Sequence, residues 1–215
     1  MKIYSSVEAK TKDSCEIDFE YSLVQQSFQQ AFLSFNPTKE KPLNGMRIAL
    51  DPGHIAGNTE TAKMEKKYVA IDAEARTKTK KQTFLIEGNL TLATALLLKA
   101  DLENAGAIVL LTRAQQNTSS FGISFEEWMK TKFQSALDTA YANENISFEE
   151  KVFLETKAHR TEIFRRFFSF EDIRERARKI NEFHPDITLI IHYNVDEANE
   201  GWKKPTDKNF VMTFV

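Results

Sequence analysis

The sequence predicts an α/β fold: a mostly parallel (mixed) central sheet flanked by helices, with a helical insertion. Three observations predict it. Short apolar runs at 46–50, 107–112 and 187–191 have the length and composition of buried strands. The clearest helical stretch, 88–105, lies between the first two runs, and strand, helix, strand in that order argues for a crossover joining parallel neighbours. The chain has only 7 Gly and 5 Pro, which favours helices over long irregular loops.

Taken in order, residues 1–45 read as an N-terminal helical extension. Phe19, Leu23, Phe28, Phe32 and Leu33 recur at helical spacing within 16–35, and Pro37 and Pro42 close the helix. Asn44-Gly45 marks a turn before the strand at 46–50. Residues 55–86 form a first insertion. Val69 and Ile71 alternate with polar neighbours, a basic run spans 76–81, and Phe84, Leu85 and Ile86 follow, which reads as two strands around a basic turn. In 88–105, Leu90, Leu92, Ala93, Leu96, Leu97, Ala100 and Leu102 predict a wide apolar face, and Gly106 ends the helix.

Residues 114–168 form a second, helical insertion. Ser124-Phe125-Glu126-Glu127, Ser147-Phe148-Glu149-Glu150 and Ser169-Phe170-Glu171-Asp172 share one pattern, a capping Ser with acid in the first turn. They predict three helix starts, the third opening a helix over 170–183 that Pro185 stops. A last strand is expected at 210–215.

A length of 215 residues suits one domain with a sizeable core. The net charge of −2 gives no argument for nucleic acid or an anionic membrane. Cys15 is the single cysteine, which excludes an internal disulfide and a cysteine-based zinc cluster. No apolar stretch approaches about 18 residues, so no transmembrane segment is expected. Residues 1–15 lack the apolar centre of a signal peptide.

Chemistry concentrates at three places. Asp51-Pro52-Gly53-His54 ends the first strand, Glu87-Gly88-Asn89-Leu90 opens the long helix, and His192 follows the run 187–191. Two histidines and one carboxylate, each near a strand end or helix start, match a catalytic zinc site, which takes three protein ligands and leaves a fourth position for water. Gly53 is expected to let the backbone turn so that His54 projects from the strand end. Asp51 and Asn194 are expected to support the loop or orient a ligand.

With Val109-Leu110-Leu111-Thr112-Arg113, Arg176 through Asn181, and Ile191-His192-Tyr193-Asn194, these motifs stand in the order found in a known family. The chain from 46 onward resembles the zinc-dependent N-acetylmuramoyl-L-alanine amidases of the amidase 3 type. The resemblance implies Zn2+ held by His54, Glu87 and His192, and hydrolysis of the amide between N-acetylmuramic acid and L-alanine in peptidoglycan or muropeptides. It implies a periplasmic or extracellular location, with a signal peptide removed. It also implies a catalytic glutamate well downstream of His192. Glu197 and Glu200 follow too closely, so that glutamate is expected beyond Val215 and residues 46–215 as an amidase-like domain lacking its C-terminal part. That expectation keeps a non-catalytic module, binding wall fragments or a protein partner, as the alternative. Acidic residues of 114–168, such as Glu126, Glu127 or Glu155, are candidates to cover the metal as a lid. Arg113 and Arg176 are expected to stabilise the fold, His159 and His184 to be structural or solvated, and Trp128 and Trp202 to be buried rather than stacked on sugar rings.

Overall fold

The computed structural model describes residues 37–72 and 82–194. The expected helix at 16–35, the basic turn at 76–81, the strand at 210–215, Cys15, Glu197, Glu200 and Trp202 lie outside the described residues.

The central sheet is three-stranded and parallel, in the order β4-β1-β5, from β1 (Arg47–Pro52), β4 (Ile108–Leu111) and β5 (Ile187–Ile191). Ile48 pairs with Val109 on one side and with Ile187 on the other. β1 runs two residues further than its apolar run, so Asp51 and Pro52 belong to the strand. A separate antiparallel ribbon joins β2 (Tyr68–Asp72) to β3 (Gln82–Ile86), with Tyr68 opposite Ile86, as the alternation in the first insertion predicts. The insertion also holds a helix that the sequence reading omits, α1 (Thr59–Glu65). Asn58 caps it by accepting from Thr61 N–H at 2.9 Å.

The crossover helix is α2 (Glu87–Asn104). Its C-terminal turn passes through Gly106, whose φ of 100° suits glycine. The wide apolar face is narrower than expected. Ala95, Leu98 and Leu102 pack with Met46, Ile48, Leu50 and Ala107 over the sheet, while Leu90, Leu96 and Leu97 remain exposed. The reason is geometric: α2 lies mainly over β1 and β4, and a helix can turn only one stripe to a sheet. Leu189 and Ile190 of β5, an edge strand among the described residues, are likewise exposed.

The second insertion builds α3 (Phe125–Thr131), α4 (Phe133–Ala142) and α5 (Phe148–Thr156). Ser124 and Ser147 cap α3 and α5, and Ser147 with Glu150 completes a reciprocal capping box. The third Ser-x-x-acid pattern is not a helix start. The chain is already helical in α6 (Arg160–Ile163), passes through one wide π turn at Phe164–Phe168, and continues as α7 (Ser169–Phe183). Phe164 and Phe168 are fully packed against Ile55, Met64, Phe125 and Trp128, and this burial keeps the chain coiled through Ser169. The cap sits upstream instead: His159 Nδ1 accepts from Thr161 N–H. Trp128 is buried, as expected. Among the described residues no helix is long and apolar enough to cross a membrane.

Candidate metal centre

Three backbone junctions deliver the candidate ligands. β1 and β5 are parallel neighbours, so their C-terminal ends meet at one edge of the sheet, where open α/β sheets place their sites. Gly53 N–H donates to Ile191 O at 2.9 Å and extends that pairing one step beyond the strand. His54 and His192 therefore emerge side by side, their rings 4.9 Å apart and edge-on. Glu87 enters from β3, which runs directly into α2, and its N–H donates to Lys67 O at 3.2 Å.

The ligand atoms of His54, Glu87 and His192 all lie within 4.8 Å of one another. His54 Nε2 is 3.4 Å from Glu87 Oε2, and His192 Nδ1 is 3.1 Å from Glu87 Oε1. Tetrahedral zinc with bonds of about 2.0–2.2 Å keeps its ligand atoms about 3.3–3.6 Å apart, close to the two histidine–glutamate separations. His54 Nε2 is buried and makes no hydrogen bond. It faces Glu87 Oε2 at 3.4 Å, and a cation between the two would satisfy both. Glu87 is buried, which raises its pKa, but His54, Tyr193 N–H and His192 act more strongly together and lower it from 4.5 to about 2. The carboxylate is thus ionised at neutral pH, the state in which it binds metal. Lys67 Nζ stands 3.7 Å from Glu87 Oε2.

Gly53 has a different use from the one expected of it. The left-handed residue is His54 itself, at φ 61°, whereas Gly53 lies outside that region. A Cβ on Gly53 would fall 2.3 Å from His192 Cε1, so the glycine makes room for the imidazole. Gly88 serves similarly, since a Cβ there would fall 2.4 Å from Ala56 O.

Two buried arginines hold the strand end. Arg113 donates to the carbonyls of Pro52, Gly53 and Gly88 at 3.1, 3.2 and 2.7 Å. Arg176 donates to Pro52 O at 2.7 Å and His54 O at 3.3 Å, and pairs with Asp51 and Asp172. Burial works against its charge, but Asp172 and Asp51 raise its pKa above the ordinary value. Asp51 thus supports the loop through Arg176 and Thr112 rather than through backbone hydrogen bonds. Asn194 is exposed, two residues past His192. The expected lid acids lie elsewhere: Glu126 pairs with Arg160, and no acid of the second insertion joins the ligand cluster among the described residues. A second carboxylate beside His54, on the opposite ring nitrogen from Glu87, is Glu65, which nothing in its local sequence pattern marks. Thr91, which donates to Gly53 O at 2.6 Å, was passed over for the same reason, and Asp172, expected as a capping acid, instead pairs with Arg176.

Fold and site together define an α/β protein with a two-histidine, one-glutamate cluster able to hold a metal ion. No family model, curated protein or solved structure matches the chain.

Proposed function

We propose that the chain is a zinc-dependent amidase of the cell envelope, hydrolysing the amide between N-acetylmuramic acid and L-alanine in peptidoglycan. The observation that carries the reading is His54 Nε2, buried and without a hydrogen bond, facing Glu87 and close to His192. The ordered sequence motifs supply the substrate class. When bound, zinc polarises the scissile carbonyl and lowers the pKa of a water toward neutrality. The chain's own residues prepare that site. Two neutral imidazoles and one carboxylate leave a divalent ion with net positive charge. Tyr193 N–H donates to Glu87 Oε1 at 3.0 Å and fixes the carboxylate. Arg113 and Arg176 occupy the carbonyls of 52–54 and hold the approach of His54.

One observation favours a second reading, a zinc-holding module that binds wall fragments without cutting them. Amide hydrolysis needs a group to take a proton from water and give one to the leaving amine. Among the described residues no further carboxylate joins the cluster, and both oxygens of Glu65 already accept backbone N–H groups.

Elemental analysis and digestion of purified peptidoglycan test both readings. The amidase reading expects about one zinc per chain, lost in His54→Ala, together with release of stem peptides with free L-alanine amino termini. Full release after His54 and His192 are both changed to alanine sinks it. Zinc without release moves the conclusion to the binding module.

A further inference from the structure

We infer that the outer face of α2 is a docking surface for residues 16–35 of the same chain, laid along it as an amphipathic helix. The contact is independent of the metal centre and of the reaction proposed there.

α2 is apolar on two sides. Ala95, Leu98 and Leu102 meet the sheet. Leu90, Ala93, Leu96, Leu97 and Ala100 are exposed on the outer side, Leu97 at 71%. A helix at the surface of a soluble protein ordinarily turns a polar face to water, and one that is apolar all round is buried all round. A contiguous apolar face of this kind marks an interaction surface.

The sequence of 16–35, outside the described residues, carries the matching stripe. Ile17, Tyr21, Val24, Phe28, Phe32 and Phe35 recur every three or four positions, the spacing of one helix side. Ser22, Gln26, Gln30 and Ser34 take the opposite side, interrupted by Phe19, Leu23 and Leu33. The tether selects α2 as the surface. Residues 38–41 fold back in a turn, Thr38 N–H donating to Lys41 O at 3.0 Å. Just beyond, Leu43 N–H donates to Ala105 O at 2.8 Å and Gly45 N–H to Gly106 O at 3.3 Å. The chain thus enters the described structure at the C-terminal end of α2. The lengths agree as well: a helix over 16–35 spans about 30 Å, and the 18 residues of α2 span about 27 Å. With Phe35 beside Asn104 and the two helices parallel, Phe28 comes level with Leu97 and Tyr21 with Leu90.

The test uses the full chain with Cys15→Ser, which leaves no native thiol. Leu97→Cys is paired in turn with Val24→Cys, Phe28→Cys and Phe32→Cys, so that a register shift of one turn is covered. Gln26→Cys with Leu97→Cys is the control from the polar side. Air oxidation in dilute solution is followed on non-reducing gels and by peptide mass. A disulfide needs the two Cβ atoms about 3.5–4.5 Å apart, so a stripe pair is expected to close within one chain and faster than the control. As a second readout, Leu97→Asp in the otherwise native chain is expected to lower the thermal unfolding midpoint by about 3–12 °C, the cost of uncovering a buried leucine in a chain of this size. Leucine on a bare surface shifts it by no more than about 2 °C. Three results overturn the proposal: crosslinks that join only separate chains, which assign the face to a second copy; stripe pairs that close no faster than the control; and a Leu97→Asp midpoint within about 2 °C of wild type, which leaves the face free for another partner. Should Leu97→Asp fail to fold, the crosslinking rates decide.

Discussion

Gly53→Ala places a methyl group where the His192 imidazole now lies, 2.3 Å from Cε1, 2.6 Å from Nδ1 and 2.7 Å from Nε2. Carbon atoms rest about 3.5–4.0 Å apart, so the ring must retreat by about 1.2–1.7 Å. Metal–ligand distances tolerate about 0.2 Å, so a retreat of that size removes His192 from the cluster. The fold itself loses little. The His192 side chain is 51% exposed and swings outward into water. Gly53 lies outside the left-handed region, so alanine adds no backbone strain, and loss of a glycine stiffens the unfolded chain, favouring folding by about 0.4–1 kcal/mol. The expectation is therefore a separation of effects. The unfolding midpoint of the zinc-free variant stays within about 4 °C of wild type. Its zinc affinity falls by more than about 100-fold, beyond the range typical of outer partners, because a direct ligand is lost. Thermal unfolding followed by circular dichroism and a chelator-competition titration measure the two. Wild-type zinc affinity in a folded Gly53→Ala protein would refute the reasoning, since the ion would then not need His192 where the structure has it.

Asp172→Ala leaves Arg176 buried with Asp51 as its remaining ion-pair partner, and is expected to cost about 1.5–3 kcal/mol in urea unfolding. A loss below about 1 kcal/mol would show that this pair does not hold the strand end. Glu87 sets an acid limit for the zinc-free protein. Its folded pKa, about 2, lies below its ordinary 4.5, so the stability it contributes is fully present above pH 4.5 and is lost as pH falls toward 2. Glu87→Gln is expected to flatten the urea midpoint against pH within that window, and an unchanged slope would contradict the assignment.

The elements legible in the sequence were those with a local cause. The capping serines at 124 and 147 mark real helix starts because the cap hydrogen bond spans only three residues. The same pattern at Ser169 fails, because burial of Phe164 and Phe168 keeps the preceding turn helical. The ligand residues were legible by type and by their place at strand and helix ends, and the expected assignment of Arg113 and Arg176 to the fold agrees with their buried hydrogen bonds. The roles of Glu65 and Asp172 were not legible. One is an acid among several charged residues around α1 and the other an acid in a helix turn, and only their partners distinguish them.

From the sequence alone came the α/β class, the β2–β3 ribbon, the crossover helix and the identity of the three candidate ligands, because spacing and residue type act over a few neighbouring positions. The tertiary structure decided the rest: which stripe of α2 meets the sheet, which carboxylate stands behind His54, and why position 53 must be glycine. Those outcomes depend on atoms brought together across as many as 139 positions of chain, as between Gly53 and His192 (192 − 53). At such separations packing, not local pattern, determines which groups meet.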